Sequence, residues 1–286
     1  SHHLFEFCFG IIRTDQSLKP AAYEFQKLEK ITGDLITGKY NKVEYNSGLF
    51  IPSSYYYNYP YMFKVEGENH YDFFLECFSL LKRANLDVRM VVEPAQELEN
   101  DGCYSHTLDL KPEDLPVLFL PGLRFMTKQT RIALENYVRN GGVIYFSFAN
   151  DSWVTDWDKL AGVVTDCKFG VPDFRVKTDL TIKVEDEWGK FAQNEIFTIP
   201  LLNNQPALSY CPIISTTARV IMTDEYGMPF LLENAIGKGK VYFTSYPLEV
   251  LALVINDDHL RAILCRIYKS INRLHGKRAE ITIEGD

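Results

Sequence analysis

Two serines near an apolar segment in the middle of the sequence are the first candidates for nucleophilic chemistry. Ser147 lies inside the segment and Ser152 follows it, with Asn150 and Asp151 between them. If the segment is a strand of an open α/β sheet, these side chains lie at its carboxyl end, where such sheets bind ligands. A serine nucleophile needs an adjacent base, and neither serine has a nearby histidine or a G-x-S-x-G context. We therefore interpret Asn150 and Asp151 as loop hydrogen-bonding residues and keep a serine hydrolase as an alternative.

A second group of candidates is aromatic. A tyrosine-rich loop at residues 55–61 and two tryptophans after the apolar segment supply the side chains Tyr55, Tyr56, Tyr57, Trp153 and Trp157. Such rings stack on the faces of sugars, and they are also enriched at the centres of protein interfaces. We favour an interface between domains or subunits, with a carbohydrate-contacting edge as the alternative.

The cysteine and glycine patterns indicate neither a metal nor a cofactor. None of the six cysteines forms a CxxC pair, so no zinc or redox motif is visible. Cys77 and Cys265 lie in helical apolar patterns, where a free cysteine behaves as a small hydrophobic residue, and we expect a reducing, cytoplasmic compartment. Gly237 and Gly239 precede a strand instead of opening a helix, so they do not form a dinucleotide-binding loop.

The composition limits the classes of partner. The chain has 286 residues, of which 46% are hydrophobic and 24% charged, as in ordinary globular proteins. Its formal net charge of −8 argues against a nucleic-acid binder, because such proteins use lysine and arginine to neutralise phosphates. No apolar run reaches the length of a membrane span, so no membrane partner is expected.

Residues 115–148 predict a strand, a helix and a second strand. Residues 115–120 and 143–148 are nearly continuous apolar runs, typical of strands covered on both faces. Thr127 is a suitable N-cap, and Leu134 and Val138 lie one turn apart on one helix face. Gly141 and Gly142 should end the helix, because the residue after the C-cap commonly adopts a left-handed conformation. The unit is therefore a βαβ crossover, which should be right-handed.

The flanking sequence repeats this alternation. A strand at 48–52, a helix at 70–84 and a strand at 87–92 precede the unit. Further predicted elements are a short helix at 156–164, strands at 180–184, 196–200, 219–223 and 230–233, a closing strand after Gly239, and a helix at 257–274. We predict an α/β fold with a doubly wound, mostly parallel sheet.

The beginning of the sequence resembles a known family. The phrase FGIIRTDQSLKPAAYEF is similar to the end of the catalytic (β/α)8 barrel in retaining glycoside hydrolases, particularly β-galactosidase-like enzymes of family 42. The matching residues are Phe9, Gly10, Arg13, Asp15, Ser17, Lys19, Pro20 and Ala21. Gln16 stands where the family usually has glycine. The resemblance implies that residues 1–38 are the final strand and helix of such a barrel.

The same resemblance places the family's chemistry upstream of this chain. Retaining hydrolysis uses two carboxyl groups about 5 Å apart, and the family carries both before this motif. Glu6 lies too close to the motif to be the nucleophile, so no catalytic residue is assigned. His3, Glu6 and Phe7 would line the sugar site if they belong to the last barrel loop, although a surface loop is the interpretation we favour.

The α/β segment resembles the domain that follows the barrel in family-42 β-galactosidases, often called the trimerisation domain. Its fold is similar to class I glutamine amidotransferases, so the resemblance implies a flavodoxin- or amidotransferase-like domain at 39–276. Those enzymes carry a nucleophilic cysteine on a tight elbow after the strand at 143–148, where this chain reads Phe148, Ala149, Asn150, Asp151 and Ser152. An active glutaminase site is therefore not expected. Residues 277–286 look like the start of a further, truncated β domain.

Three functions remain open at this point. The first is a non-catalytic C-terminal region of a glycoside hydrolase, which would organise a homo-oligomer, a trimer by resemblance, beside the parent's own catalytic barrel. The second is a degenerate amidotransferase-like hydrolase that uses Ser147 or Ser152. The third is a stand-alone carbohydrate-binding module that uses the loop at 55–61.

Overall fold

The computed structural model describes residues 13, 17–36, 45–52, 70–94, 108–122, 126–148, 157–165, 179–200 and 211–276. The chain divides into two compact units, Ser1–Glu44 and Tyr45–Asp286. In the first unit, helix α1 spans Pro20–Ile36 and begins at a proline, which suits the first helical position. Phe25 of this helix is exposed. Residues 1–12, where the resemblance implies the final barrel strand, lie outside the described residues.

The second unit contains a nine-stranded mixed sheet, a two-stranded sheet and five helices within its described part. The strands are β1 Ser47–Ile51, β2 Val88–Val92, β3 Val117–Leu120, β4 Val143–Ser147, β5 Val163–Thr165, β6 Leu180–Val184, β7 Ile196–Ile199, β8 Ile213–Thr216, β9 Arg219–Asp224, β10 Pro229–Ile236 and β11 Gly239–Thr244. The helices are α2 His70–Arg83, α3 Lys128–Arg139, α4 Trp157–Ala161, α5 Leu248–Ile255 and α6 Asp258–His275.

The large sheet has a parallel half and an antiparallel half. Its strand order is β2-β1-β3-β4-β11-β10-β9-β6-β7, with β5 and β8 paired separately. The first five strands run parallel, and the pairings from β11 to β7 are antiparallel. The sheet is therefore more mixed than the sequence pattern predicted. Short turns explain the antiparallel half, because a turn such as the one at Gly227 cannot accommodate a parallel crossover.

Helices cover both faces of the sheet. Alternate residues of each parallel strand point to opposite faces, as Leu49 and Phe50 illustrate. Leu49 belongs to a core that contains residues of α2, α5 and α6. Phe50 belongs to a second core, built with α3 and α4. The near-continuous apolar runs of the parallel strands are therefore explained by burial on two sides.

The predicted βαβ unit is confirmed in detail. Thr127 caps α3, and its side chain accepts a hydrogen bond from the backbone N–H of Thr130 at 3.2 Å. Gly141 follows the C-cap residue with a φ of +115°, a conformation that favours glycine. The Tyr137 hydroxyl donates to the Leu115 carbonyl oxygen at 2.7 Å and ties α3 to the segment before β3. A Cβ atom at Gly142 would overlap the Tyr137 ring, so this glycine makes room for the tyrosine.

None of the helices in the described part of the chain combines the length and apolar character needed to cross a bilayer.

Candidate functional site

The carboxyl ends of the parallel strands contain buried polar side chains, at the sheet edge where ligands of α/β proteins commonly bind. Ser147 ends β4 and Thr244 ends β11, and both are fully buried. Glu249 lies in the first turn of α5, immediately beyond β11, and is also fully buried. Glu93 follows β2, and its Oε1 accepts a hydrogen bond from the backbone N–H of Thr127 at 2.9 Å.

Glu249 is the centre of a hydrogen-bond network inside the core. Its Oε1 accepts hydrogen bonds from the hydroxyls of Tyr145 at 2.8 Å and Tyr268 at 2.6 Å. The Tyr145 hydroxyl also lies 3.2 Å from Thr244 Oγ1. Oε2 is buried without a hydrogen-bond partner in the described part of the chain. The network therefore joins β4, β11, α5 and α6 through one carboxyl group.

Burial controls the protonation of this network. It raises the pKa of the Glu249 carboxyl group, and the neighbouring Ser147, Tyr268 and Tyr145 hydroxyls oppose that rise only in part. Burial also raises the pKa values of Tyr145 and Tyr268, with the nearby Glu249 adding to the effect. The tyrosines consequently remain protonated and act as hydrogen-bond donors. Glu249 is protonated more readily than an exposed glutamate would be.

Ser147 is held as a hydrogen-bond acceptor in this region. The backbone N–H of Gly122 donates to Ser147 Oγ at 2.7 Å. Because Ser147 is fully buried, a substrate carbonyl has no access to its hydroxyl. The two histidines among residues with described side chains lie elsewhere, His259 beside the Thr198 carbonyl and His275 beside Tyr242. The geometry thus gives no support to a hydrolase based on Ser147, and Ser152 lies outside the described residues.

Cys77 lies in the same core and is also unsuited to nucleophilic chemistry. Its side chain on α2 is fully buried. Burial raises the pKa of the Cys77 thiol, and the charges of Glu249 and Glu76 raise it further. Because the thiolate is the reactive form, this cysteine is a packing residue, as its helical apolar pattern predicted.

Trp157 is the one aromatic candidate that the structure describes. It begins α4 and is only 2% exposed. Its indole packs against the rings of Phe146, Phe148 and Phe243, with centroid distances of 5.9, 6.3 and 5.1 Å. This core position differs from the surface position that stacking on a sugar would require. The other candidates lie outside the described residues: His3, Glu6, Phe7, Tyr55, Tyr56, Tyr57, Trp153, Asn150 and Asp151.

A second polar cluster surrounds Glu233 on β10, and the sequence pattern did not predict it. The Tyr242 hydroxyl donates to Glu233 Oε2 at 2.7 Å, and Lys240 Nζ donates to Oε1 at 2.8 Å. Arg219 Nη1 lies 3.9 Å from Oε1. The Tyr242 oxygen also lies 2.7 Å from His275 Nε2, so a neutral imidazole must carry its proton on that nitrogen. The result is a chain of two hydrogen bonds, from His275 to the Tyr242 hydroxyl and from that hydroxyl to Glu233.

Burial, hydrogen bonds and neighbouring charges together set the protonation of this second cluster. Burial acts to raise the pKa of Glu233, but hydrogen bonds from Lys240 and Tyr242, with the charges of Lys240 and Arg219, outweigh burial and lower it. Burial lowers the pKa of His275, and the charge of Lys240 adds to that decrease. Glu233 is therefore an ionised, paired carboxylate, and the neutral form of His275 is favoured.

Neither cluster has the ligand arrangement of a metal site. Among the described residues, no group of three or more histidine, cysteine, aspartate or glutamate side chains could hold a metal ion.

Comparison with known proteins identifies structural relatives only. No protein-family model matches the chain, and no curated protein sequence matches it. An exo-β-1,4-mannosidase from Opitutaceae bacterium strain TAV5 is 16% identical, with a TM-score of 0.61 over 94% of this chain and 43% of that one. A cold-adapted β-galactosidase from Rahnella sp. R3 is 11% identical, with a TM-score of 0.62 over 94% and 37%.

A third similar structure carries a family assignment. It is a catalytic mutant of a family-42 β-galactosidase from G. stearothermophilus, 14% identical, with a TM-score of 0.52 over 92% of this chain and 36% of that one. The chain therefore spans less than half the length of each of these structures. At such low identities the likeness shows the fold, and that fold is found within part of several glycoside hydrolases.

Proposed function

We propose that this chain is the non-catalytic C-terminal region of a β-galactosidase-like glycoside hydrolase. In this proposal residues 1–38 complete the catalytic barrel, and residues 39–276 form a doubly wound, amidotransferase-like domain. The domain supports the neighbouring sugar-cleaving site and holds the enzyme in a homo-oligomer, a trimer by resemblance to family 42. The observation that carries the proposal is the extensive fold match to glycoside hydrolases, which covers 94% of this chain but only 37% of the β-galactosidase from Rahnella.

The sheet supports the amidotransferase-like assignment. The order β2-β1-β3-β4 places the first strand between the second and third, as in flavodoxin-like sheets, and helices cover both faces. At the end of β4, where an amidotransferase would present its nucleophile, the described residues are a buried Ser147 and a buried Phe148. This favours a domain that has kept the architecture of an enzyme without its chemistry.

The different activities of the similar structures also favour a supporting role. One is a mannosidase and another a β-galactosidase, although both resemble this chain over nearly its whole length. A region shared by enzymes with different sugar specificities is better suited to assembly and support than to substrate selection.

The proposal is tested by activity and assembly together. The purified chain should show no turnover of nitrophenyl β-galactoside or nitrophenyl β-mannoside, and light scattering after size exclusion should give the mass of an oligomer. Turnover at enzyme-like rates would contradict the non-catalytic role. A strict monomer at high protein concentration would contradict the assembly role.

A further inference from the structure

A groove of about 430 Å³ runs between α3 and the segment 108–110. The α3 wall is a single stripe of the helix, because its residues follow at intervals of three or four positions. That wall consists of Gln129, Ile132, Ala133, Asn136, Tyr137 and Asn140. Leu108, Asp109 and Leu110 form the opposite wall. The volume falls within the range of about 300 to 1,000 Å³ typical of small-molecule sites.

The polar side chains of the groove are available to a ligand. Gln129, Asn136 and Asn140 contribute three amides, and Asp109 contributes a carboxylate. None of these four side chains hydrogen-bonds or pairs with another group of the chain within the described residues. Each amide offers both donors and an acceptor, whereas the carboxylate offers acceptors only. The groove therefore presents planar hydrogen-bonding groups of both kinds.

The charge of the groove selects against anionic ligands. None of its nine lining residues is a lysine or arginine. Two cations of α3 are paired elsewhere, since Arg131 Nη1 lies 3.4 Å and Arg139 Nη2 lies 2.7 Å from the Glu135 carboxylate. A phosphate or carboxylate group would meet Asp109 with no lysine or arginine in the lining to compensate its charge.

The remaining surface of the groove is apolar. Ile132 is 43% exposed, and Leu108 and Leu110 are half-buried beside it. The Tyr137 hydroxyl donates a hydrogen bond to the Leu115 carbonyl oxygen at 2.7 Å, which orients the ring in the α3 wall. A ligand that fits should combine several hydrogen-bonding groups with C–H faces and carry no negative charge.

We propose that this groove binds a neutral saccharide of one or two rings. Asp109, Asn136 and Asn140 hydrogen-bond its hydroxyl groups, and Ile132 and Leu108 cover its C–H face. This inference goes beyond the proposed function, because it concerns a binding site on the α/β unit itself and holds for any parent protein.

The test uses the purified chain with D-galactose, D-mannose and lactose as probes. Saturation-transfer NMR should show transfer to at least one sugar, and titration calorimetry should give a dissociation constant on the order of 1 mM or tighter. Asn136→Ala and Asp109→Asn should each weaken binding by roughly fivefold to tenfold, as expected for one lost hydrogen bond.

Matched controls separate this site from general effects on the surface. Gln26 is an exposed amide on α1 and Glu113 is an exposed acid outside the groove, so Gln26→Ala and Glu113→Gln should leave sugar binding unchanged. Unchanged thermal unfolding of the four variants checks that the fold is intact, because none of the substituted side chains has an intramolecular partner in the described part of the chain.

Three outcomes would overturn the proposal. They are the absence of saturable binding for all three sugars, full retention of binding in both Asn136→Ala and Asp109→Asn, and saturable binding of a neutral tripeptide in the groove when no sugar binds. Oligomeric state is measured without sugar and activity as release of nitrophenol, so failure of the proposed function is distinguishable from failure of this site.

Discussion

Glu249 and Glu233 both accept a hydrogen bond from a tyrosine, yet their pKa values shift in opposite directions. Two tyrosines surround Glu249, which is fully buried, and burial raises its pKa. Glu233 has one tyrosine, a lysine at 2.8 Å and an arginine at 3.9 Å, and its pKa is lowered. The comparison shows that burial prevails at Glu249, whereas the hydrogen bonds from Lys240 and Tyr242, together with the charges of Lys240 and Arg219, outweigh burial at Glu233.

Glu249→Ala should produce the largest effect. It leaves the hydroxyls of Tyr145 and Tyr268 without their acceptor and opens a cavity between α5 and the sheet. We expect a loss of about 3 to 5 kcal/mol in the free energy of unfolding, measured by urea denaturation.

Glu249→Gln is the matched control for that substitution. The amide oxygen can still accept both tyrosine hydrogen bonds, and the side-chain volume is kept. Its free energy of unfolding at pH 5 should stay within about 1.5 kcal/mol of the wild-type value. Equal destabilisation by the alanine and glutamine substitutions would contradict the network described for Glu249.

The next largest effect should be a difference between the two glutamates in how the free energy of unfolding depends on pH. The pKa of Glu249 in the folded protein lies above its ordinary value of 4.5. The stability that this shift contributes is therefore complete below pH 4.5 and is lost as the pH rises through the folded pKa. Glu249→Gln should therefore gain stability relative to wild type with increasing pH, by at most about 1.4 kcal/mol per pH unit. Urea midpoints between pH 5 and pH 8 measure this difference.

Glu233 should behave in the opposite sense. Its pKa in the folded protein lies below 4.5. The stability that this shift contributes is therefore present above pH 4.5 and is lost as the pH falls through the folded pKa. Glu233→Gln should consequently lose most stability relative to wild type near neutral pH and least near pH 3. Parallel pH profiles for the two glutamine variants would refute the comparison.

Removing one tyrosine hydroxyl from each cluster should give a smaller difference. Tyr268→Phe deletes a buried donor to Glu249, with an expected cost of about 1 to 3 kcal/mol. Tyr242→Phe leaves Glu233 with its hydrogen bond from Lys240, so about 0.5 to 1.5 kcal/mol is expected. Thermal and urea unfolding of both variants show which substitution costs more stability. A larger cost for Tyr242→Phe would contradict this comparison of the two clusters.

Lys240→Met should give the smallest change. The lysine side chain is 38% exposed, so its ion pair with Glu233 is screened by solvent, and about 0.2 to 1 kcal/mol is expected. The cost should decrease in 1 M NaCl, where screening is stronger. The same salt titration on Tyr268→Phe provides a control that contains no ion pair.

Local signals in the sequence were sufficient for the βαβ unit. Thr127 caps α3 as predicted, and Gly141 ends it in a left-handed conformation. These signals work because capping and positive φ depend on a few adjacent residues. The strand at 180–184 and the helix at 257–274 were also predicted, and the structure places them at Leu180–Val184 and Asp258–His275.

Helix α5 was not predicted, because its sequence LEVLALVI has no polar face. A short apolar run is equally compatible with a buried strand or a buried helix. The residue that precedes it, Pro247, provides no side-chain cap, so no signal marked its start. Burial of Leu248, Val250 and Leu251 in the core explains why the helix needs no polar face.

The polar clusters could not be predicted, because they depend on strand register. Glu233 meets Tyr242 only because β10 and β11 pair in that register. Glu249 meets Tyr145 from a position 104 residues away. The position of Trp157 could not be predicted for the same reason. A tryptophan in this segment suggested an interface or a sugar contact, but the rings of Phe146 and Phe243 pack against it in the core.

The pairing of β11 has a consequence for the order of folding. On one side β11 forms a hairpin with β10 through a two-residue turn at Gly237, which has a φ of +60°. On the other side it pairs with β4, far earlier in the chain. Local hairpins form within microseconds, whereas pairing between distant segments is slow because a long loop must close first. We therefore expect β9, β10 and β11 to form early, with β11 then serving as the template on which the parallel half assembles.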